Sequence, residues 1–179
     1  VLAPWRVTII AVDVSASMPV GAAEACLTSM STTPNDDDNR WVSSLHDADL
    51  LLVSTFGGAR ADNRLLHEFS VEEMKRVGTQ LDPTHGGRPQ PMSKAADVWT
   101  GLIDKLMSLH PLVEVHLVTD CRLSDQDVNR IEQFAADGVA VHIHSFVTPR
   151  RIRPTLDNRL ISHPAGAARP DGRHAPWRS

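Results

Sequence analysis

Residues 7–12, Val-Thr-Ile-Ile-Ala-Val, form an almost unbroken β-branched apolar run that stops abruptly at Asp13. A strand with one wet face alternates polar and apolar residues. A run without that alternation suits a strand covered on both sides, as in a parallel sheet packed between helices. Asp49–Phe56, with Leu50-Leu51-Leu52-Val53, reads as a second buried strand, and Val113–Thr119 and Val139–Phe146 as the third and fourth core strands. Helical patterns fill the intervals, over Gly21–Met30, Val71 to about Gln80, and Met92–Ser108, where Ala95, Ala96, Trp99, Leu102, Ile103 and Leu106 share one face. Ser70 with Glu73 reads as a capping box, Ser124 with Asp127 opens another helix in the same way, and Gly138 stops that helix. Arg64–Phe69 reads as a short edge strand pairing back antiparallel. The alternation predicts an α/β fold: an open, doubly wound, mostly parallel sheet flanked by helices, with about five strands and one antiparallel edge.

The 179 residues suit one domain, and a formal charge of −4 excludes a global bias towards nucleic acid or membrane. The distribution says more. Residues 149–179 hold seven arginines against two aspartates, a net +5, so the preceding body carries −9. The expected division is a domain over 5–148 and a basic Arg/Pro-rich tail over 149–179, extended or disordered. Arg150, Arg151 and Arg153 head that tail; without interleaved aromatics they make a poor nucleic-acid platform, and weak contact is the most expected there. No apolar run approaches the roughly 20 residues of a membrane span. The stretch at Val7–Val12 does not read as a signal peptide, so a cytoplasmic location is expected. The chain begins at Val1 rather than Met, and a missing upstream segment is expected. Cys26 and Cys121 form no metal-binding spacing and are expected to be unpaired thiols. Asp36–Asp38, in the loop Ser31–Arg40, lacks the spacing of a calcium loop and reads as solvated surface before a short helix through Trp41 and Leu45.

Ligands of open α/β sheets gather beyond the carboxyl ends of the strands, where the strand order reverses. The first and third core strands end at Asp13 and Asp120. Ser15 and Ser17 alternate on the loop after Asp13. Two carboxylates and two hydroxyls make an all-oxygen donor set, suited to a hard cation such as Mg²⁺ or Mn²⁺. The structural alternative is that the serines cap the following helix and the aspartates satisfy loop amides.

Asp13-Val14-Ser15-Ala16-Ser17 matches the Asp-x-Ser-x-Ser signature of the von Willebrand factor A (vWA) domain family. Val115–Asp120 resembles the family's later strand ending in Asp, and Gly86-Gly87 followed by Pro91–Ala95 resembles its glycine-rich loop and helix start. The resemblance covers roughly residues 5–148. It implies a metal ion-dependent adhesion site in which Ser15 and Ser17 ligate the metal directly. Asp13 and Asp120 would contribute carboxylates, and an acidic side chain of a partner protein would complete the coordination. The family's usual loop threonine is replaced. Arg88 or Gln90 takes its position depending on which end of the loop is aligned, with Thr84 a weaker candidate. Gln90 offers a carbonyl oxygen, whereas Arg88 repels a cation, so weakened or lost Mg²⁺ or Mn²⁺ binding is expected. Cys121 stands where the family commonly has Gly. With His85 and Arg88 it completes the expected partner-binding rim.

His142 and His144 share a strand face, but no third ligand is evident nearby, so packed or surface histidines are expected. Phosphate-binding, nucleophile-elbow and zinc-protease motifs are absent. The expected function is a non-catalytic adaptor binding a protein partner through the strand-end crevice, as a subunit of a larger assembly. The alternatives are a structural subunit assembling through its sheet edge or basic tail, and a Mg²⁺-dependent phosphoryl or nucleotide enzyme using Asp13 and Asp120.

Overall fold

The computed structural model of the chain describes residues 6–19, 21–31, 50–58, 62–66, 71–81, 91–106, 108, 111–120, 123–145, 156 and 159–162. In chain order the elements are β1 (Arg6–Asp13), α1 (Ala22–Ser31), β2 (Leu50–Phe56), β3 (Asn63–Leu66), α2 (Val71–Gln80), α3 (Met92–Leu106), β4 (Leu112–Thr119), α4 (Asp125–Ala136), β5 (Ala140–Ser145) and β6 (Leu160–Ser162). They form one sheet in the order β3-β2-β1-β4-β5-β6. Only β3 runs antiparallel, against β2; the other described pairings are parallel.

The apolar runs are buried on both faces as their composition requires. Ile10 and Val12 of β1, with Leu51, Val53 and Val118, pack under α1 and α2. The alternate residues Val7, Ile9 and Ala11, with Leu52, Val115, Leu117 and Ile143, pack under α3 and α4, where the rings of Trp99 and Phe134 meet with centroids 6.0 Å apart. Gly78 of α2 sits against the backbone of α1. A Cβ there would lie 2.5 Å from the Cα of Glu24, so the two helices approach this closely only because the residue is glycine. At the start of α4, Ser124 Oγ accepts from Asp127 N at 3.1 Å, and Asp127 accepts in return from Ser124 N, completing the capping box. Asp127 also accepts from Ser93 N at 3.2 Å, which fixes the first turn of α3 against α4.

The strands read from the sequence are all present, and β6 extends the sheet by one. Leu160–Ser162 pairs in parallel with Ile143–Ser145, and Leu156 is buried in the α3/α4 core. Part of the segment after residue 149 thus belongs to the sheet. An uncovered β5 edge carries unpaired backbone groups, and a three-residue strand pairs with its last three residues without leaving a readable periodicity. Ser70, Asp36–Asp38, the helix through Trp41 and Leu45, Thr84, His85, Arg88, Gln90, Cys121, and Arg150, Arg151 and Arg153 lie outside the described residues.

Candidate functional site

After β1 the chain passes to β2 on one side of it, and later crosses back to place β4 on the other side. The order reverses between β1 and β4, so their carboxyl ends open onto a common crevice. Asp13 ends β1, and Asp120 follows β4 directly. Both carboxylates are buried, at 6% and 5% exposure.

The loop between β1 and α1 is held from both ends. Val14 N donates to Phe56 O at 2.9 Å, extending the β1–β2 pairing by one residue, and the Met18 side chain is buried in the α1/α2 core. This leaves Ser15 half-buried and Ser17 exposed, their hydroxyl oxygens 3.1 Å apart. Ser17 Oγ donates to Asp120 Oδ2 at 2.6 Å, Ser15 N donates to Asp13 Oδ1 at 2.9 Å, and Thr119 Oγ1 donates to Asp13 Oδ2 at 3.2 Å. Four of the residues predicted for the site, Asp13, Ser15, Ser17 and Asp120, are thus brought to one place from two strand ends. Gln90, the further candidate metal ligand, and Arg88, His85 and Cys121, expected at the partner-binding rim, lie outside the described residues.

Burial pushes the Asp13 carboxyl above its ordinary range, and the nearby Asp120 adds to the rise; the hydrogen bonds from Ser15 and Thr119 oppose it only in part. A buried carboxylate beside a second one is an electrostatic debt that a cation would relieve. The donors fit such an ion. Adjacent oxygens around an octahedral Mg²⁺ or Mn²⁺ lie roughly 3 Å apart, and the Ser15–Ser17 and Ser17–Asp120 contacts, at 3.1 and 2.6 Å, bracket that edge. Asp13, Ser15, Ser17 and Asp120 are the residues that would hold it.

Gly57 also stands against the site, although nothing in its local sequence marks it. It follows β2 with φ +79°, and a Cβ there would lie 2.5 Å from Asp13 Oδ1 and 3.2 Å from Ser15 Cβ. Glycine at this point leaves room for the carboxylate and the signature loop to sit side by side.

A second polar cluster surrounds the histidines of β5. His142 and His144 do share a face, and β4 supplies what the sequence did not place beside them. Register sets His116 opposite His142, with their rings stacked at 4.8 Å. Glu114 Oε1 lies 3.1 Å from His116 Nε2 and 2.8 Å from His142 Nε2. His116 Nδ1 lies 2.9 Å from His144 Nε2. Burial would raise the Glu114 carboxyl, but hydrogen bonds from His116 and His142 outweigh it and hold the group well below the usual carboxylate range. Burial pushes His116 down, against the pull of Glu114, so the ring is neutral near pH 7. Counting back from Thr119 and Ser145, which pair across the two strands, puts His116 and His142 at the same depth. That matched spacing was the available signal.

No protein-family model and no curated protein matches the sequence. Solved structures do. The chain is similar to the manganese-loaded TRAP protein of Plasmodium vivax, at 15% identity and TM-score 0.59, over 94% of this chain and 70% of that one. It is similar to the VWA domain of SpRpn10 at 11% identity and TM-score 0.56, over 88% of this chain and 87% of that one. It also matches proximal thread matrix protein 1 of the mussel byssus at 15% identity and TM-score 0.50, over 82% of this chain but 37% of that one. At such identities the likeness speaks to fold alone, and it agrees with the strand order. The chain has the von Willebrand factor A fold.

Proposed function

We propose that this chain is a non-catalytic protein-interaction domain whose strand-end crevice holds a divalent cation and, through it, a carboxylate of a partner protein. The observation that carries this reading is the Ser15–Ser17–Asp120 hydroxyl–carboxylate chain with Asp13 beside it, closed across the topological switch point. A hard cation there neutralises two adjacent buried carboxylates and keeps coordination positions on the side where Ser17 is exposed. A partner Asp or Glu is the ligand of matching hardness and charge. The similarity to a manganese-loaded protein and to a VWA domain supports the same reading. With Arg88 or Gln90 in place of the usual threonine, the ion is held weakly.

Titration of the chain with Mn²⁺ by calorimetry tests this. Saturable binding at roughly 0.1–1 mM, lost in Ser17→Ala, is the expected result. Partner capture from a lysate of the source cells should then fall both on adding EDTA and in Asp13→Ala. No saturable Mn²⁺ binding, with capture indifferent to EDTA and to Asp13→Ala, would sink the reading and favour assembly through the sheet edge or basic tail.

A further inference from the structure

The face of the sheet that packs under α1 and α2 is apolar along β1 and β2, where Ile10, Val12, Leu51 and Val53 stand. On β4 and β5 the same face changes character. Glu114 and His116 occupy two successive inward positions of β4, and His142 and His144 occupy two of β5, in register. His116 and His144 are fully buried, while the side chains of His142 and Glu114 keep 34% and 22% exposure. Placing three imidazoles and a carboxylate inside a sheet face is costly unless each polar atom is used.

Three of those atoms converge. Glu114 Oε1, His116 Nε2 and His142 Nε2 lie within 4.8 Å of one another, with Glu114 between the two rings. We propose that Glu114, His116 and His142 form a transition-metal site, separate from the strand-end crevice, that takes Zn²⁺ through two imidazole nitrogens and one carboxylate oxygen. Imidazole selects this ion over Mg²⁺ or Ca²⁺, and three protein ligands leave a fourth position for water on the exposed side of His142. His144 is the supporting residue. Metal on Nε2 displaces the proton that the ring donates to Glu114; the neutral His116 ring then carries its proton on Nδ1 and donates it to His144 Nε2, 2.9 Å away, with the His144 proton on its own Nδ1, which fixes ring orientation and tautomer. Ligands on a tetrahedral Zn²⁺ stand roughly 3.4 Å apart. His142 therefore swings inward when the ion binds, and its partial exposure gives it the room.

The site does not depend on the crevice being occupied, and the experiment separates the two. The chain is stripped with EDTA, desalted, and titrated with Zn²⁺ in the presence of excess Mg²⁺. Wild type should bind one equivalent at micromolar or tighter affinity. His142→Ala and Glu114→Gln should each weaken that binding by about tenfold or more, while Ser17→Ala leaves it unchanged. Because the sequence holds nine histidines, the comparison with the variants decides, and Zn²⁺ uptake alone does not. Co²⁺ gives a second readout: wild type should show the intense visible bands of a four-coordinate ion, absent in His142→Ala. Circular dichroism of both variants checks that the fold is intact. Equal Zn²⁺ affinity in wild type and both variants, or no four-coordinate Co²⁺ spectrum in wild type, would overturn the proposal and leave a metal-free hydrogen-bonded network.

Discussion

Two polar clusters share β4, and they are built on opposite principles. The crevice cluster of Asp13, Ser15, Ser17 and Asp120 sits past the strand ends, is all oxygen, and draws three of its members from one five-residue stretch. The lateral cluster of Glu114, His116, His142 and His144 sits within the strands, is mostly nitrogen, and comes from two strands in register. The first places two carboxylates side by side and is destabilised by their charge. The second surrounds one carboxylate with imidazoles and is stabilised by it. Burial alone therefore does not set the sign: Asp13 is raised and Glu114 lowered, although both are withdrawn from water.

The substitution expected to separate the clusters most completely is Gly57→Ala. A Cβ 2.5 Å from Asp13 Oδ1, at φ +79°, forces both the carboxylate and the Ser15 backbone to move. Mn²⁺ binding at the crevice should fall by about 100-fold or become undetectable, the outcome for a ligand set displaced by an ångström. Zn²⁺ binding at the lateral cluster should be unaffected. Parallel losses at both sites would mean that the two clusters are one mechanical unit and that the contrast drawn between them is false.

The same contrast explains what could be read from the sequence. Asp13, Ser15 and Ser17 are legible because their geometry is local, and Asp120 because a topological rule brings strand ends together. Glu114 and His116 were passed over because their significance depends on register, and a shift of two residues would pair His142 with other neighbours. Gly57 looks like any loop glycine until the carboxylate from a neighbouring strand appears beside it. The long strands and helices were legible from periodicity. β6 was not, because three residues amid arginines and prolines carry no pattern, and its place is decided by the free edge of β5.

A smaller effect is expected from Gly78→Ala, which tests whether either cluster depends on overall stability. The added methyl meets the α1 backbone at Glu24, which cannot rotate away as a flexible side chain would. Overpacking of this kind costs about 1–3 kcal/mol, readable as a lower denaturation midpoint. Below the unfolding transition both metal affinities should stay at wild-type values. A selective loss at the crevice would show that α1, which follows the signature loop, transmits strain into it.

The smallest expected effect gives the sharpest test, because it predicts opposite signs. Asp13 has a folded-state pKa above its unfolded value, so the folded protein binds a proton more tightly than the unfolded chain. Ionisation at neutral pH then costs stability. Asp13→Asn, which keeps an acceptor for Ser15 N, should raise Tm by a few degrees at pH 7 while abolishing Mn²⁺ binding. Glu114 has a folded-state pKa below its unfolded value, so its stabilisation is present above the ordinary carboxylate range and is lost as the pH falls through the folded value. Glu114→Gln should therefore lower Tm at pH 7. Melting curves of metal-free wild type and both variants from neutral pH downward read the two differences directly. The Asp13→Asn gain should shrink as the pH falls towards the ordinary aspartate value, where the wild-type carboxyl is already protonated in the folded state. The Glu114→Gln loss should persist to lower pH, since that carboxylate holds its charge longest. If Asp13→Asn instead lowers Tm at neutral pH, the crevice pair is not in electrostatic debt, and the case for a cation there loses its physical motive.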